Sequence, residues 1–291
     1  MSGLPPTEAR AAESTGLDLL ATEELVDLLV RDHVAAVTAV RAQSATLARI
    51  VDAIAARLRA GGRLHYVGAG SSGRLGVLDA SEMPPTFGTN PELVCAHIAG
   101  GDRALRCAIE GAEDDEAAGE AAMREHVSAL DAVIGISASG GARYVIGAIN
   151  AARRLAALTI AITSNGESAL AGAADEAIVL PTGAEVLAGS TRLKAGTAQK
   201  IALNTISTAV MVRLGKVYDN LMVDVVASNE KLRLRAQRLV QGLTNVDEAR
   251  ARSALEGAGG SVRVAAVMLV HGVDAERARA LIESETLRSL L

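Results

Sequence analysis

Apolar positions along this 291-residue chain keep helical spacing through about the first sixty residues, switch to short continuous runs between 64 and 180, and then return to helical spacing. Thr22, followed by Glu23 and Glu24, reads as an N-cap with an acidic first turn, ahead of Leu25, Leu28, Leu29, Val34, Val37 and Val40. A further helix carries Leu47, Ile50, Val51, Ile54 and Leu58 and stops at Gly61-Gly62. The polar residues ahead of these helices, with Pro5 and Pro6, are expected to lie extended.

Five apolar runs, at 64–67, 93–98, 132–136, 158–162 and 177–180, each lead into a turn, and helical patterns such as 116–130 and 143–155 separate them. Runs too short for helices, alternating with helices, predict right-handed βαβ units. The expected fold is α/β: a five-stranded parallel sheet flanked by helices. In such sheets ligands bind outside the carboxyl ends of the strands, at a switch point in strand order. A long helix should then run from about Lys194 to Leu214, and the chain should be wholly helical beyond Val226. Arginines mark the polar side of 232–243, and glycines at 257–260 and 272 divide 246–291 into three short helices. The expected organisation is an N-terminal segment with helices over 1–60, a sheet domain over 61–225, and a helical region over 226–291 that ends in a small three-helix bundle.

Composition narrows the function. Hydrophobic residues make up 49% of the chain, yet it has no Trp, one Phe and three Tyr. The core is therefore aliphatic, and stacking on nucleobases is an improbable way to bind a ligand. A net charge of −5 argues against nucleic acid or an anionic membrane as a partner. Cys95 and Cys107 form neither a CxxC pair nor a disulfide framework, and the histidines show no metal-ligand spacing, so no metal or cofactor is expected. No apolar run is long enough to span a membrane, and no basic-then-apolar leader opens the chain, so the expected location is cytoplasmic.

Gly68-Ala-Gly-Ser-Ser-Gly73 follows the first strand and fits G-x-G-x-x-G. A dinucleotide site would need an acid about 20 residues further on, and Asp102, the nearest fit, lies too far along. The turn instead offers two hydroxyls, Ser71 and Ser72, and the third strand ends in a similar element with Ser137 and Ser139. Two serine turns at neighbouring strand ends can surround one phosphate monoester with O–H and N–H donors, although either alone could simply cap a helix. Glu82, before Met83-Pro84-Pro85, and Glu113, within an acidic run from Glu110 to Glu116, are candidates for proton transfer; the run could equally be helix N-terminal charge. Glu185 is a third acidic candidate. Lys194, with Arg192 close by, is one of only four lysines and a candidate for an anionic substrate, while Lys200, Lys216 and Lys231 read as ordinary helix surface. His65 and His97 lie in strands and read as packed.

Taken together, 68–88, 99–106, 108–115, 189–200 and 220–224, with Thr7-Glu8 and Leu17-Asp18, resemble the N-acetylmuramic acid 6-phosphate etherases of the sugar isomerase (SIS) superfamily. The resemblance spans nearly the whole chain and implies a flavodoxin-like SIS domain. It also implies Glu82 and Glu113 as the acid/base pair, a sugar phosphate bound near Ser71, Ser72, Ser137, Ser139, Glu185 and Lys194, no cofactor, and a homodimer. The implied reaction cleaves the D-lactyl ether by elimination and hydration, giving N-acetylglucosamine 6-phosphate and D-lactate, as in peptidoglycan recycling. One of the two glutamates must then be protonated at neutral pH, which calls for partial burial or a neighbouring anion.

Three positions depart from the family pattern. Ser71 stands where Thr is usual, Gly141-Ala142-Arg143-Tyr144 where Arg-Thr-Pro-Tyr is usual, and Gly183-Ala184-Glu185 where Gly-Pro-Glu is usual. Ala142 removes a hydroxyl that SIS domains often direct at phosphate, so a weaker phosphate site is expected. The C-terminal bundle resembles ubiquitin-associated folds and is read as packing or dimer support. Competing readings are a sugar-phosphate isomerase and a non-catalytic sugar-phosphate sensor resembling glucokinase regulatory protein.

Overall fold

A computed structural model describes residues 5–224 and 230–291, in two compact units: one of residues up to Ala80 with Glu92–Thr208, the other of Ser81–Pro91 with Ala209–Leu291. In chain order the elements are α1 (Thr22–Asp32), α2 (Val34–Ala42), α3 (Ser44–Arg59), β1 (Leu64–Gly68), α4 (Gly70–Ser81), α5 (Met83–Phe87), β2 (Val94–Ile98), α6 (Glu116–His126), β3 (Ala132–Ile136), α7 (Arg143–Arg154), β4 (Leu158–Thr163), α8 (Ala169–Ala173), β5 (Glu176–Val179) and α9 (Lys194–Arg213). They continue as β6 (Val217–Tyr218), β7 (Leu221–Met222), α10 (Glu230–Thr244), α11 (Glu248–Gly257), α12 (Val262–His271), α13 (Ala275–Ser284) and α14 (Leu287–Leu290).

β1 to β5 form one parallel sheet in the order β2-β1-β3-β4-β5. The expected five strands are all present, their ends shifted by a residue or so. The central strands β1 and β3 are buried at every position, which is why they read as continuous apolar runs instead of an alternation. Successive strand residues face opposite sides of the sheet. On one side Val67, Val133 and Ala161 pack with Met123 of α6, Tyr144, Val145, Ala148 and Ile149 of α7, and Leu170 of α8. On the other, α4 lies so close that a Cβ on Gly76 would sit 3.0 Å from Tyr66 Cβ and 3.4 Å from Ile136 Cδ1.

That second side is fastened by a buried carboxylate. Asp79 of α4, 1% exposed, accepts the Tyr66 hydroxyl of β1 at 2.8 Å, and Asn204 Nδ2 and Ser207 Oγ of α9 at 2.6 and 3.1 Å. Burial first, and then the facing Asp79 charge and its hydrogen bond, hold the Tyr66 phenol protonated far above its ordinary range. At the other end of the sheet, Asp131 ties β3 to β1: Oδ1 accepts Arg63 N–H at 2.6 Å, and Oδ2 accepts Ser128 N–H at 2.7 Å. Burial opposes its ionisation, but these backbone donors outweigh that and lower its pKa.

His65 and His97 are packed, as their strand positions imply, and they also pair: Nδ1 of His65 lies 3.0 Å from Nε2 of His97, with the rings stacked. His126 stacks on the outer face of His97. His65 is fully buried, and its Nε2 stands 3.5 Å from Asp131 Oδ2.

The N-terminal segment is not simply extended. Extended residues are punctuated by 3-10 turns at Pro6–Glu8, Ala12–Ser14 and Leu17–Leu19. The N-cap of α1 is Ala21, with Thr22 already helical; the Glu24 carboxylate accepts Ala21 N–H at 3.3 Å, while the alanine side chain offers no acceptor to the first amides of the helix. The apolar pattern through Val40 is two helices, broken at His33. α6 ends at His126, short of Leu130, because 127–131 turn to bring Asp131 under β1.

In the other unit, four short helices, α11 to α14, follow 246 where three are expected, and α10 packs on α11 and α12. Val240, Ala251, Ala254, Val262, Ala265, Ala278 and Leu287 form its core. Asp224 accepts Lys216 Nζ at 3.0 Å and Arg263 Nη1 at 3.1 Å. The expected start of the helical region at Val226 lies outside the described residues, and helix is present from Glu230. Among the described residues no single helix is long and apolar enough to cross a membrane; α11 and α12 together reach that length but bend by 113°.

Two outcomes follow from these networks. Burial, and for His97 the facing His65, push both imidazoles from 6.5 down to about 4. Between those values the folded chain binds fewer protons than the unfolded one, so this stabilisation is complete above about pH 6.5 and is lost as pH falls towards 4. For the fully buried His65 the loss is on the order of 3 kcal/mol, read as a falling urea midpoint between pH 7 and 4; a flat midpoint would contradict it. Asp79→Ala removes the acceptor shared by Tyr66, Asn204 and Ser207 and should cost about 3 kcal/mol in urea unfolding at pH 7, whereas a loss under 1 kcal/mol would show that the carboxylate does not hold the layers together.

Candidate active site

The chain leaves β1 through the glycine-rich turn and enters α4 at once. A Cβ on Gly68 would stand 2.6 Å from Gly73 N, so only glycine lets the first turn of α4 sit against the strand end. That places Ser71 and Ser72 at the positive N-terminal end of α4. After β3, Ser137 N–H donates to Ile162 O at 3.1 Å, and the chain turns through Gly140 at φ 71°. A side chain on Gly140 would collide with Ser168 Oγ, 2.2 Å from the Cβ position.

β1 and β3 are hydrogen-bonded neighbours, so their serine turns meet at the carboxyl end of the sheet. They line one cavity of about 340 Å³, whose wall includes Ser71, Ser72, Ser137, Ser139, Glu113 and Ala142. Ser137 Oγ accepts Gly140 N–H at 3.1 Å, and Ser139 Oγ accepts Gly141 N–H at 3.3 Å, which leaves both hydroxyl protons to donate to a ligand. Ser72 differs: its hydroxyl donates to Gln199 Oε1 at 2.9 Å. The lining contains no lysine or arginine. An anion there would be met by hydroxyls, backbone N–H groups and the N-termini of α4 and α7.

Glu113 lies on a 3-10 turn, Ala112–Asp114, set by Gly111 at φ 71°. The acidic run divides by role. Asp115 caps α6, its Oδ1 accepting Ala118 N–H at 2.9 Å, and Glu116 pairs with Arg143 at 3.2 Å. Glu113 and Asp114 instead face the cavity. Glu82 lies in the other unit, exposed, immediately before α5. The partial burial expected for an acid of the pair is absent, because Glu82 and Glu113 are both exposed. Ala142 forms part of the cavity wall as the N-cap of α7, and no side chain caps that helix there.

Glu185 and Lys194, expected at the substrate, are placed otherwise, and neither lines the cavity. Glu185 is fully buried and caps α9, accepting the N–H groups of Lys194 at 3.1 Å and Ala195 at 3.0 Å. Lys194 is 4% exposed, and its ammonium sits 2.7 Å from Asp32 Oδ1, tying the end of α1 to the first turn of α9. Both charges are met inside the protein. The cavity also draws on Thr191, and Gln199 holds Ser72 from behind; both lie in the 189–200 stretch that resembles the family. Gln199 is 1% exposed with its Nε2 unpartnered. Its place in the 189–200 stretch is the sequence signal that could have marked it. Among the described residues no three His, Cys, Asp or Glu side chains are grouped to hold a metal ion.

The family model for the glucokinase regulatory protein N-terminal SIS domain matches residues 46–153, and that for the SIS domain matches 112–209. The N-acetylmuramic acid 6-phosphate etherase of Symbiobacterium thermophilum is 54% identical over 267 residues, covering 92% of this chain and 89% of that protein. Enzymes of the same name from Deinococcus radiodurans and Rubrobacter xylanophilus are 50% and 48% identical, over 95% and 98% of this chain and 91% and 95% of their own length. A solved structure from Bacteroides fragilis, described as a phosphosugar isomerase involved in capsule formation, superposes with a TM-score of 0.53 at 18% identity. It covers 69% of this chain and 95% of its own, and shares the fold. With relatives at about half identity along almost its whole length, the chain belongs to the N-acetylmuramic acid 6-phosphate etherase family.

Proposed function

We propose that this protein cleaves the D-lactyl ether of N-acetylmuramic acid 6-phosphate, releasing D-lactate and N-acetylglucosamine 6-phosphate. The observation that carries this reading is the single cavity at the ends of β1 and β3, where hydroxyls suited to a phosphate face a solvent-accessible carboxylate. Ser71, Ser137 and Ser139 hold the 6-phosphate with the first turn of α4, and Gln199 keeps Ser72 in place. Phosphate binding, remote from the ether, orients the sugar.

An ether oxygen is a poor leaving group, so the bond must be activated. Opening of the sugar ring exposes an aldehyde at C1, which acidifies the C2 proton. A base takes that proton, the C3–O bond breaks, and the departing lactate oxygen is protonated by an acid. Water then adds at C3 of the unsaturated aldehyde, giving up a proton to a base, while C2 regains one. Two carboxylates can supply these transfers. Glu82 is assigned as the acid towards lactate and Glu113 as the base that activates water. For Glu113 the support is its place on the cavity wall; for Glu82 it is the motif that it shares with the family. Ala142 leaves the cradle one hydroxyl short of the usual pattern and weakens phosphate affinity without altering the reaction.

We also assign the protein to cytoplasmic amino-sugar recycling and to a homodimer. Val26, Val30, Val34 and Val37, each more than half exposed, form an apolar stripe along α1 and α2 that a second copy would cover.

Incubation with N-acetylmuramic acid 6-phosphate in ¹⁸O water should release D-lactate and leave the label on C3 of the sugar. Lactate released without label in the sugar would contradict elimination and hydration, and isomerised sugar without lactate would favour a sugar-phosphate isomerase. Glu82→Gln should lower kcat by roughly 10²-fold or more with the circular dichroism spectrum unchanged, and wild-type turnover would remove Glu82 from the mechanism. Glu113→Gln should be similarly slow in forming N-acetylglucosamine 6-phosphate while it can still exchange the C2 proton with solvent, and wild-type turnover would exclude an essential role for Glu113. Val30→Glu with Val34→Glu should give a monomer in sedimentation equilibrium where the parent chain is dimeric, and a monomeric parent would refute the dimer.

A further inference from the structure

The etherase substrate carries two anions, a phosphate on C6 and a carboxylate on the lactyl group, whereas the serine cradle is lined by no cation. A second groove, of about 380 Å³, adjoins the cradle through Ser71, which lines both. It runs between the faces presented by Ser71, Arg74 and Leu75 of α4 and by Gly196, Thr197 and Lys200 of α9, with Arg192 just ahead of α9. Residues three and four apart share a helix face, so the two helices present their groups along one trough.

The groove concentrates positive charge without matching it. Arg74 donates Nε to Ala104 O at 3.0 Å and Nη2 to Cys107 O at 3.4 Å, which fixes the guanidinium and leaves Nη1 without a hydrogen bond among the described residues. Lys200 donates to Asn204 Oδ1, the amide held in turn by Asp79, so two of its ammonium protons remain. Arg192 is exposed and forms no hydrogen bond or ion pair among the described residues. None of the three has a carboxylate partner among the described residues, in a chain whose net charge is −5. Backbone-pinned guanidinium is preorganised for an anion, and Leu75 supplies an apolar contact beside it.

We propose that Arg74, Arg192 and Lys200 form a carboxylate subsite that holds the lactyl group, with its methyl against Leu75. The subsite rests on the etherase reading and extends it. The cradle reads the phosphate that substrate and sugar product share; the groove reads the group that only the substrate carries. It holds the leaving group as an anion apart from the sugar and gives the site its preference for an acidic ether over plain sugar phosphates.

The test compares two ligands on the full-length protein: the KM for N-acetylmuramic acid 6-phosphate, and the inhibition constant of N-acetylglucosamine 6-phosphate, which lacks the carboxylate. Arg192→Gln and Lys200→Gln should each raise the KM by about tenfold, the weight of one charge-assisted hydrogen bond, and leave the inhibition constant within about twofold. The exposed Arg192 makes a folding failure of that variant readable, because its inhibition constant reports an intact cradle. If both constants rise together, the cations serve the phosphate and the subsite is refuted. If neither moves, the groove lies outside the binding site, and the proposal falls. Absence of D-lactate from the parent protein would overturn the etherase reading and the subsite with it, whereas lactate release with unselective variants would overturn the subsite alone.

Discussion

The buried Asp79 carboxylate is the constraint on which the sheet unit depends. A charge at 1% exposure is costly unless donors surround it, and here one comes from β1 and two from α9. The charge therefore does more than bind its partners. It penalises any displacement of α4 or α9 that would strip a donor from it, and so fixes both helices against the strand that feeds the first serine turn. Asn204 extends the effect one turn along α9 to Lys200, while Gln199 steadies Ser72.

Around this hub the site divides its electrostatic work. Hydroxyls and helix N-termini, with no lysine or arginine, line the cradle proposed for the phosphate, so an anion there would be met by dipoles that need little reorganisation. Full positive charges stand beside it in the groove between α4 and α9. Glu113 shares a wall with the serines and keeps access to water, which suits the proton transfer proposed for it. In the proposed mechanism, orientation falls to the strand-end turns, charge recognition to the helix faces, and proton transfer to a carboxylate on a short glycine-set turn.

Lys194 and Glu185 show how local pattern misleads about charge. A lone lysine at a helix start, next to a glycine-rich loop, has the sequence look of an anion ligand. Its ammonium instead neutralises Asp32, 162 residues away in the chain, and Glu185 satisfies the amide groups that any helix N-terminus leaves open. Lys200 gives the reverse case: it reads as ordinary surface, yet it lines the groove because α4 supplies the opposite wall. His65 and His97 read as packed, and only the pairing of β1 with β2 makes them each other's partner.

By itself the sequence determined the five strands, their parallel α/β arrangement, the serine turns after β1 and β3, and membership of the etherase family, because each of these is written in short-range periodicity or in motifs of contiguous residues. The break at His33, the alanine N-cap of α1 and the 3-10 turns before it escaped that pattern, since helix ends are decided by competing caps worth about 1 kcal/mol each. Only the tertiary structure decided which charges are spent inside the protein and which remain for a ligand. An ionisable side chain is committed by whatever lies within a few ångströms of it, and for Lys194, Asp79 and Lys200 those neighbours or walls come from elements more than a hundred residues away.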